Sequence, residues 1–316
     1  KVAAPFGLGV GKKSSDIVYV QSLSATLLVE LAAVLNVHHN TNHTSRYWNI
    51  LLGHWLRRCV SVCFNRYFTI EKVLTNYKIT STTVLDSTDY CLASSDSSSA
   101  TWACNDVVWN SMLYARVLRY MNCNNVDLDI VRIENDRACK QKQSIETTKH
   151  IWSIKRFIKV VGYYILPRFT RNEDAFIVNS YLPLWQEIKL QLALWQCPQI
   201  WQSPPLRKVS VDLKKRRNFT INSEHHTGFE EFIRELLPDL IPTCYIEGYA
   251  LLNKQIESLP WPRKPKFIFT SNNFDTDEIF KAWSGMKAEQ GVPYFAGQHG
   301  SYQHGLSWLL SSPEMV

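Results

Sequence analysis

The most constraining feature of the sequence is a stretch near its C-terminal end, where two short apolar runs flank a longer amphipathic segment. Residues 267–269 form an apolar run between polar residues, which predicts a buried strand. Residues 294–296 predict a second strand in the same way. Between them, apolar side chains recur at helical spacing over residues 279–286, and Gly291 ends this pattern. The stretch is therefore predicted to be a strand–helix–strand unit.

Both predicted strands end in polar turns. In open α/β sheets, ligands bind at the carboxyl ends of the strands, so the side chains of these turns are candidate substrate contacts. Because a right-handed crossover joins neighbouring parallel strands, the two turns are predicted to lie side by side at one edge of the sheet. The candidate substrate-binding residues in these turns are Ser271, Asn272, Asn273, Gln298 and Gly300. For the first turn, the alternative is a purely local role in capping the following helix.

Length and composition indicate a globular protein. The 316 residues correspond to one large domain or two ordinary ones. A hydrophobic content of 45% and a charged content of 20% are typical of chains with a packed core. The formal net charge of +7 is mild and the basic residues are scattered, so the sequence does not indicate a nucleic-acid partner.

The eight cysteines include no CxxC pair. Cys59 and Cys63 are four residues apart in an apolar helical segment, so a metal site there would need ligands from elsewhere in the chain. We therefore expect reduced thiols that pack as small hydrophobic side chains, and no metal centre.

Two further expectations concern location and completeness. The sequence shows no signal peptide and no apolar run that we expect to span a bilayer, which predicts a cytoplasmic protein. The chain begins with Lys1 and ends soon after the second polar turn, so we expect it to be a fragment of a longer protein.

A polar segment with three histidines lies between two predicted helices, residues 24–36 and residues 48–62, the second of which continues over 64–74. The histidines are His38, His39 and His43. They do not fall on one helical face and no acidic residue lies near them in sequence, which argues against zinc. A polar loop that lines a cleft and a plain surface loop are the remaining interpretations.

The rest of the chain alternates between helical and extended patterns. Residues 122–149 are polar and poor in core residues, and we expect a flexible insertion there. The other predicted strands cover residues 80–85 and 175–178, and the other predicted helices cover residues 105–121, 184–195 and 229–237.

Several of these segments resemble a bacterial family of transferases associated with surface-carbohydrate and O-antigen biosynthesis. The resemblance extends over nearly the whole chain, and the order of the segments matches. The segments that carry it are Leu-Asn-Val-His-His at 35–39, Ser-Arg-Tyr-Trp-Asn-Ile-Leu-Leu-Gly at 45–53, Ile-Pro at 241–242 with Tyr-Ile-Glu-Gly-Tyr at 245–249, Phe-Thr-Ser-Asn at 269–272 with Asp-Glu at 277–278, and Gly-Gln-His-Gly at 297–300.

The resemblance implies an α/β fold similar to that of GT-B glycosyltransferases, with a Rossmann-like parallel sheet flanked by many helices. Residues 1–260 are then expected to form a helix-rich, acceptor-side N-terminal domain. Residues 261–316 are expected to form the strand–helix–strand unit that leads towards a C-terminal donor domain, most of which lies beyond this chain.

The resemblance also suggests a site. Transfer to an acceptor hydroxyl needs a base, and an imidazole with a near-neutral pKa suits that role, so His299 is the candidate catalytic residue. Its alternative is a structural turn histidine bonded to a backbone carbonyl. We expect His38 and Arg46 to face the same cleft as His299, with Arg46 clamping an anion or else stacking on its aromatic neighbours.

Two carboxylates complete the set of candidate substrate-binding residues. Glu247 is placed to orient an acceptor sugar, with a buried salt bridge as the alternative. Glu278 lies in the first turn of a predicted helix, where a carboxylate also stabilises the helix dipole without any substrate.

The function implied by the resemblance is transfer of a sugar from a nucleotide-activated donor to a cell-surface polysaccharide or lipid-linked acceptor. The nucleotide sugar is then a substrate, and no cofactor or metal is expected. Peripheral association with the inner membrane face is a further expectation. The alternatives are a non-catalytic module that binds carbohydrate or a lipid carrier, and a CDP-polyol-type phosphotransferase.

Overall fold

The computed structural model describes residues 7, 9–86, 91–121, 126–132, 169–222 and 224–297. The chain divides into two compact units that alternate along the sequence. The first unit comprises Lys1–Asn42, Trp55–Gln143 and Lys208–Tyr249. The second unit comprises His43–His54, Ser144–Arg207 and Ala250–Val316.

The chain begins with a long helix, α1 (Lys12–His39), which extends the predicted helix at both ends. Its side chains Leu27, Leu31 and Leu35 are fully buried at the four-residue spacing of one helix face. The helix ends because Asn40 adopts a left-handed conformation with a φ of 51°, which asparagine tolerates better than most residues. His38 and His39 therefore lie in the last turn of α1, and not in the predicted loop.

By length and composition, α1 is a candidate membrane span, the only one among the described helices. This differs from the expectation that no segment could cross a bilayer. A third (33%) of its most apolar window is buried within the protein. A core helix of a soluble protein passes the same test, so this feature alone does not assign α1 to a membrane.

The second helix, α2 (Ser45–Asn76), joins the two helices predicted on either side of residue 63. Its apolar positions Trp48, Leu52 and Val60 are fully buried. Gly53 lies within the helix without ending it, because a single glycine costs a helix only about 1 kcal/mol relative to alanine.

The first unit contains a two-stranded parallel sheet. Strand β1 (Ser81–Asp86) pairs along its whole length with β2 (Asp127–Arg132), so that Ser81 faces Asp127 and Asp86 faces Arg132. Sequence analysis predicts a flexible insertion over residues 122–149, whereas the structure has a strand within that range. Leu128 of this strand packs against a buried apolar cluster, a long-range contact that local composition does not reveal.

The remaining helices of the first unit are short, and aspartates begin several of them. Asp96 and Asp106 accept hydrogen bonds from backbone N–H groups in the first turn of the helices that follow them. The helices are α3 (Ser97–Ala103), α4 (Val107–Tyr120), α6 (Leu213–Arg217) and α7 (Phe229–Leu240), with a 3₁₀ turn at Thr243–Tyr245. Helix α8 (Tyr249–Glu257) begins at the last residue of the first unit and otherwise belongs to the second.

The second unit contains a three-stranded parallel sheet. Its strands are β3 (Phe176–Val178), β4 (Ile268–Thr270) and β5 (Tyr294–Ala296), in that spatial order. Phe176 pairs with Ile268, and Ile268 pairs with Tyr294. The prediction of a parallel strand–helix–strand unit near the C-terminal end is confirmed.

The helices of this unit are α5 (Leu184–Ala193), the short α9 (Asn273–Thr276) and α10 (Glu278–Glu289), which connects β4 to β5. The fold is thus mixed α/β, with parallel strands in two small sheets flanked by helices. The finer GT-B arrangement and the division into acceptor and donor domains near residue 260 remain predictions.

Helix α10 packs unusually close to α2. A Cβ atom on Gly285 would lie 2.9 Å from Cδ2 of the buried Tyr47 ring. Gly53 of α2 is different, because a Cβ atom there would meet chiefly the terminal amide oxygen of Asn49, which is part of a more flexible side chain.

We therefore predict opposite effects for two helical Gly→Ala substitutions. Gly285→Ala should lower the free energy of unfolding by about 1–3 kcal/mol, because the added methyl group collides with a fixed ring. Gly53→Ala should be neutral or should stabilise by up to about 1 kcal/mol, because it restricts the unfolded chain. Urea unfolding of both variants checks this, and similar gains in both would contradict the close packing at Tyr47.

Candidate functional site

The candidate site lies at the carboxyl ends of the three strands of the second unit. The backbone N–H of Ser271, after β4, donates to the carbonyl of Asn179, after β3, at 3.2 Å. The N–H of Gly297, after β5, donates to the carbonyl of Thr270 at 2.7 Å. The three turns therefore meet at one edge of the sheet, as the sequence predicts for the turns after β4 and β5.

The turn after β4 is held in shape by Thr270, whose side chain is fully buried. Its hydroxyl oxygen accepts hydrogen bonds from the N–H groups of Asn272 at 3.2 Å and Asn273 at 3.0 Å. A threonine hydroxyl that bonds nearby N–H groups ends a strand and starts a turn. The strand end thereby fixes the backbone of two predicted site residues.

A chain of side-chain hydrogen bonds runs along this edge. The Asn179 amide donates to Oδ1 of Asn273 at 2.5 Å, and the Asn273 amide donates to Oδ2 of Asp277 at 2.7 Å. Ser203 donates to the same Asp277 oxygen at 2.6 Å. The other Asp277 oxygen caps α10 by accepting the Phe280 N–H at 3.0 Å. Asn273 therefore has a structural role at this edge, and its contact with a substrate remains a prediction.

The turn after β3 is conformationally strained. Asn179 has a φ of 48° and Tyr181 a φ of 57°, in the left-handed region that asparagine tolerates and tyrosine rarely adopts. Between them, Ser180 donates to Oε2 of Glu187 at 2.5 Å. Strain of this kind is found preferentially at binding and catalytic sites, which supports the assignment of this edge.

Close packing also requires glycine at position 297. A Cβ atom there would lie 2.5 Å from Oγ of Ser271 and 3.0 Å from the Phe269 ring. The chain after β5 thus passes directly beside the turn after β4. The next residues, including the predicted site residues Gln298, His299 and Gly300, lie outside the described part of the chain, so their roles remain predictions.

Glu278 is placed differently from the neighbouring turn residues. Its carboxylate lies 3.0 Å from the Lys281 ammonium group, and both side chains are almost completely buried. A buried carboxylate with a buried cationic partner is accounted for without a substrate. The ion pair therefore favours the structural alternative for Glu278, although a role in binding remains a prediction.

Glu247 belongs to the first unit, where it forms a buried ion pair. Arg216 donates to its two carboxylate oxygens at 2.7 and 2.8 Å, and the side chains are 2% and 3% exposed. Glu247 also accepts the backbone N–H of Asp212 at 3.0 Å. This is the buried salt bridge that the sequence left open as the alternative to a sugar contact.

His38 and Arg46 do not share a unit. His38 is exposed at the end of α1 in the first unit, with its ring edge-on to Phe219. Its partial burial lowers the pKa of His38, and the Lys215 cation adds to that effect against the opposing Glu247 carboxylate. Arg46 is exposed in the first turn of α2, in the second unit. A single cleft shared by His38, Arg46 and His299 remains a prediction.

The third histidine of this segment has an acidic partner that sequence proximity did not reveal. Nδ1 of His43 lies 2.7 Å from Oε2 of Glu289, and the Thr44 N–H donates to the other carboxylate oxygen at 2.5 Å. The His43 ring also stacks on Tyr47. Within the described ranges, no group of three or more His, Cys, Asp or Glu side chains is arranged to hold a metal ion.

The described cysteines are free thiols. Cys59 and Cys63 are buried, and a hydrogen bond with Cys63 together with burial raises the pKa of the Cys59 thiol. These features are typical of packed, unreactive cysteines. Two cysteines, Cys123 and Cys139, lie outside the described part of the chain.

The structure adds residues that the sequence analysis did not select. Asn179 and Ser180 directly follow β3, and Ser203 reaches the same hydrogen-bond chain from an irregular segment. The rule applied to the other two strands, that polar residues follow a strand end, would have found Asn179 and Ser180. No local pattern marks Ser203.

Comparison with known families indicates the general function. A family profile described as LIC12162 family transferase matches residues 2–315. The chain belongs to this family. No curated protein and no solved structure gives a match. Membership in the LIC12162 family supports a transferase, which agrees with the class of enzyme predicted from the sequence.

We predict that Glu247 contributes to the stability of the folded protein through its ion pair with Arg216. Glu247→Gln leaves the buried Arg216 cation without its charged partner and should lower the free energy of unfolding by about 3–5 kcal/mol. The double variant Arg216→Met with Glu247→Leu should lose less, because no charge remains buried. Urea unfolding measures both, and a Glu247→Gln variant that unfolds like the wild type would contradict the stabilising role of the ion pair.

His38 gives a prediction for pH dependence. Its pKa in the folded protein lies below the ordinary 6.5, so the unfolded chain binds the proton more readily. The free energy of unfolding should therefore fall as the pH drops through about 6.5 towards the folded pKa. His38→Gln and Lys215→Gln should each weaken this dependence in unfolding curves between about pH 8 and pH 5. An unchanged dependence in His38→Gln would refute the assignment.

Proposed function

We propose that this LIC12162 family transferase is a glycosyltransferase, which moves a sugar from a nucleotide-activated donor to a hydroxyl of a cell-surface polysaccharide or lipid-linked acceptor. The observation that carries the proposal is the hydrogen-bond chain at the carboxyl edge of the three-stranded sheet. Ligands of open parallel sheets bind at this edge. Membership in a transferase family supplies the reaction class.

The chemistry of the edge suits sugar hydroxyl groups. A sugar hydroxyl both donates and accepts hydrogen bonds, and the side chains along the edge are amides, hydroxyls and carboxylates that complement both roles. Asn179 and Asn272 are exposed there, whereas Asn273 and Ser271 are buried behind them. The exposed pair is the first candidate for direct contact with the acceptor.

The same edge is poorly suited to a donor diphosphate. A helix N-terminus attracts anions through its free N–H groups and its dipole. At the N-terminus of α10, however, Asp277 already accepts the Phe280 N–H, and the Glu278 carboxylate in the first turn is paired with Lys281. We therefore assign this edge to the acceptor and not to the donor phosphates.

His299 is the proposed base for the acceptor hydroxyl. It follows Gly297 by two residues, and Gly297 is hydrogen-bonded to the strand that precedes the acceptor edge. A base that removes the hydroxyl proton in the transition state contributes about 10²–10⁴-fold to the rate. Family membership and the adjacent turns support this role.

The test measures turnover and thermal stability of variants in the full-length enzyme. His299→Ala should slow transfer by about 10²–10⁴-fold without changing the melting temperature, since its contribution is to the chemical step. Asn272→Ala should raise the KM for the acceptor with little effect on folding, because the side chain is exposed. Asn105→Ala, at another exposed asparagine, is the control and should leave both kinetic constants unchanged.

The substrates in the assay are a panel of nucleotide sugars with saccharide and lipid-linked acceptors, and CDP-glycerol as a non-sugar donor. Transfer from a nucleotide sugar supports the proposal. Transfer from CDP-glycerol alone would identify a CDP-polyol-type phosphotransferase instead. Acceptor binding by calorimetry without any turnover would indicate a binding module, and a His299→Ala variant with normal turnover would remove His299 from the mechanism.

A further inference from the structure

Helix α5 buries a polar side chain and exposes several large apolar ones, which is the reverse of a normal surface helix. Gln191 is its buried side chain, at 1% exposure. Its large apolar side chains Leu184, Trp185 and Leu192 are 61%, 63% and 55% exposed. A surface helix ordinarily buries its apolar stripe and exposes its polar side chains.

The inward side of α5 is anchored by amide hydrogen bonds. Gln191 donates to the carbonyl of Gln199 at 3.0 Å, and its oxygen accepts the Gln199 N–H at 2.8 Å. Gln196 donates to the same Gln191 oxygen and forms two further bonds with the backbone of Ala175. The helix is thus fixed to the segment entering β3 by polar contacts, which leaves its apolar side chains available to another partner.

These exposed side chains form a stripe together with Ile188, which is half-buried. Leu184, Ile188 and Leu192 follow one another at four-residue spacing, Trp185 lies beside them, and Trp195 follows the helix at 84% exposure. We call these five residues the α5 face. Of nineteen exposed large apolar side chains in the described part of the chain, nine lie between residues 169 and 200, so the concentration here is local.

Cations border the α5 face. The Lys189 ammonium group lies 5.7 Å from the centre of the Trp185 ring. At the end of the helix, Arg171 donates to the carbonyl of Trp195, and Lys266 donates to the carbonyl of Leu194 at 3.3 Å.

The acidic groups nearby do not all cancel this charge. Asp174 is buried against Arg171, and Glu187 is half-buried and bonded to Ser180. Glu173 is exposed. Arg171 is 68% exposed although it is paired with the buried Asp174, and Lys189 and Lys266 are exposed as well. Three exposed cations therefore border the face, against the one exposed carboxylate of Glu173.

We propose that the α5 face docks on the surface of an anionic lipid bilayer. Tryptophan and leucine beside lysine and arginine are the composition of helices that lie in the membrane interface, with the rings at the headgroup level and the cations against anionic lipid. A second copy of this chain is a poorer partner, because a two-fold contact would bring the same border cations together.

The α5 face borders the candidate site. The loop between β3 and α5 runs from Asn179, at the acceptor edge, to Leu184, the first residue of the face. Docking on a bilayer would therefore bring the acceptor edge close to a lipid-linked substrate. The docking itself does not depend on the proposed glycosyl transfer, so the two proposals can fail separately.

The experiment is co-sedimentation of the full-length protein with vesicles, without any sugar donor. Vesicles of phosphatidylcholine alone are compared with vesicles of phosphatidylcholine mixed with phosphatidylglycerol. Stronger binding to the mixed vesicles is expected, and it should weaken as salt is added, because salt screens exposed charges. Equal binding to both types, or binding to neither, would overturn the proposal.

Variants separate the apolar and the charged contributions. Trp185→Glu and Leu192→Glu should each lower binding to mixed vesicles by about tenfold or more, because each removes a large side chain from the lipid interface. Lys189→Gln should lower it by about fivefold. The matched control is Trp102→Glu on α3, which replaces a tryptophan that is 72% exposed outside the face and should bind like the wild type.

Circular dichroism and the melting temperature of each variant confirm that the fold is retained. Binding that survives Trp185→Glu and Leu192→Glu but disappears in salt would show a general attraction of the basic protein and would overturn the proposal. A concentration-dependent dimer that Trp185→Glu abolishes, in a protein that binds no vesicles, would assign the face to a second copy instead.

Discussion

The three-stranded sheet depends on an aromatic cluster. Each of its strands has three residues, so the backbone hydrogen bonds between them are few, and side-chain packing must hold the sheet together. Phe176 is fully buried, and its ring centre lies 4.5–4.7 Å from those of Trp201, Trp261 and Trp283. These rings come from a loop, the approach to β4 and helix α10. Because one residue of β3 joins these segments, the cluster holds together the sheet at whose carboxyl ends the candidate site lies.

The site at that edge is built from groups that serve two purposes. Asp277 caps α10 and also ends the hydrogen-bond chain that begins at Asn179. Thr270 closes β4 and sets the following turn. Such sharing ties the geometry of the candidate site to the stability of the fold. At the N-terminus of α10, the Phe280 N–H and the Glu278 carboxylate are likewise already bonded within the protein.

Much of the local structure could be predicted from the sequence. The strands β4 and β5, the helix between them and the long α2 follow from apolar periodicity, because each pattern lies within one element. The segment at residues 127–132 could not be predicted, because its pairing with β1 depends on a partner more than forty positions away in the chain. The prediction of a loop at His38 was wrong for a related reason. The polar residues continue α1 to the left-handed Asn40, where the helix ends.

The sequence by itself determined the α/β class, the strand–helix–strand unit and the polar turns after its strands, because these depend on the local alternation of apolar and polar residues. Tertiary structure decided which polar residues act together. Glu247 is paired with Arg216, and His43 with Glu289, through contacts between positions far apart in sequence. It also decided that α5 turns Gln191 inward and Trp185 outward. Periodicity shows that a helix has an apolar side, but only the packing of the other segments determines whether that side is buried.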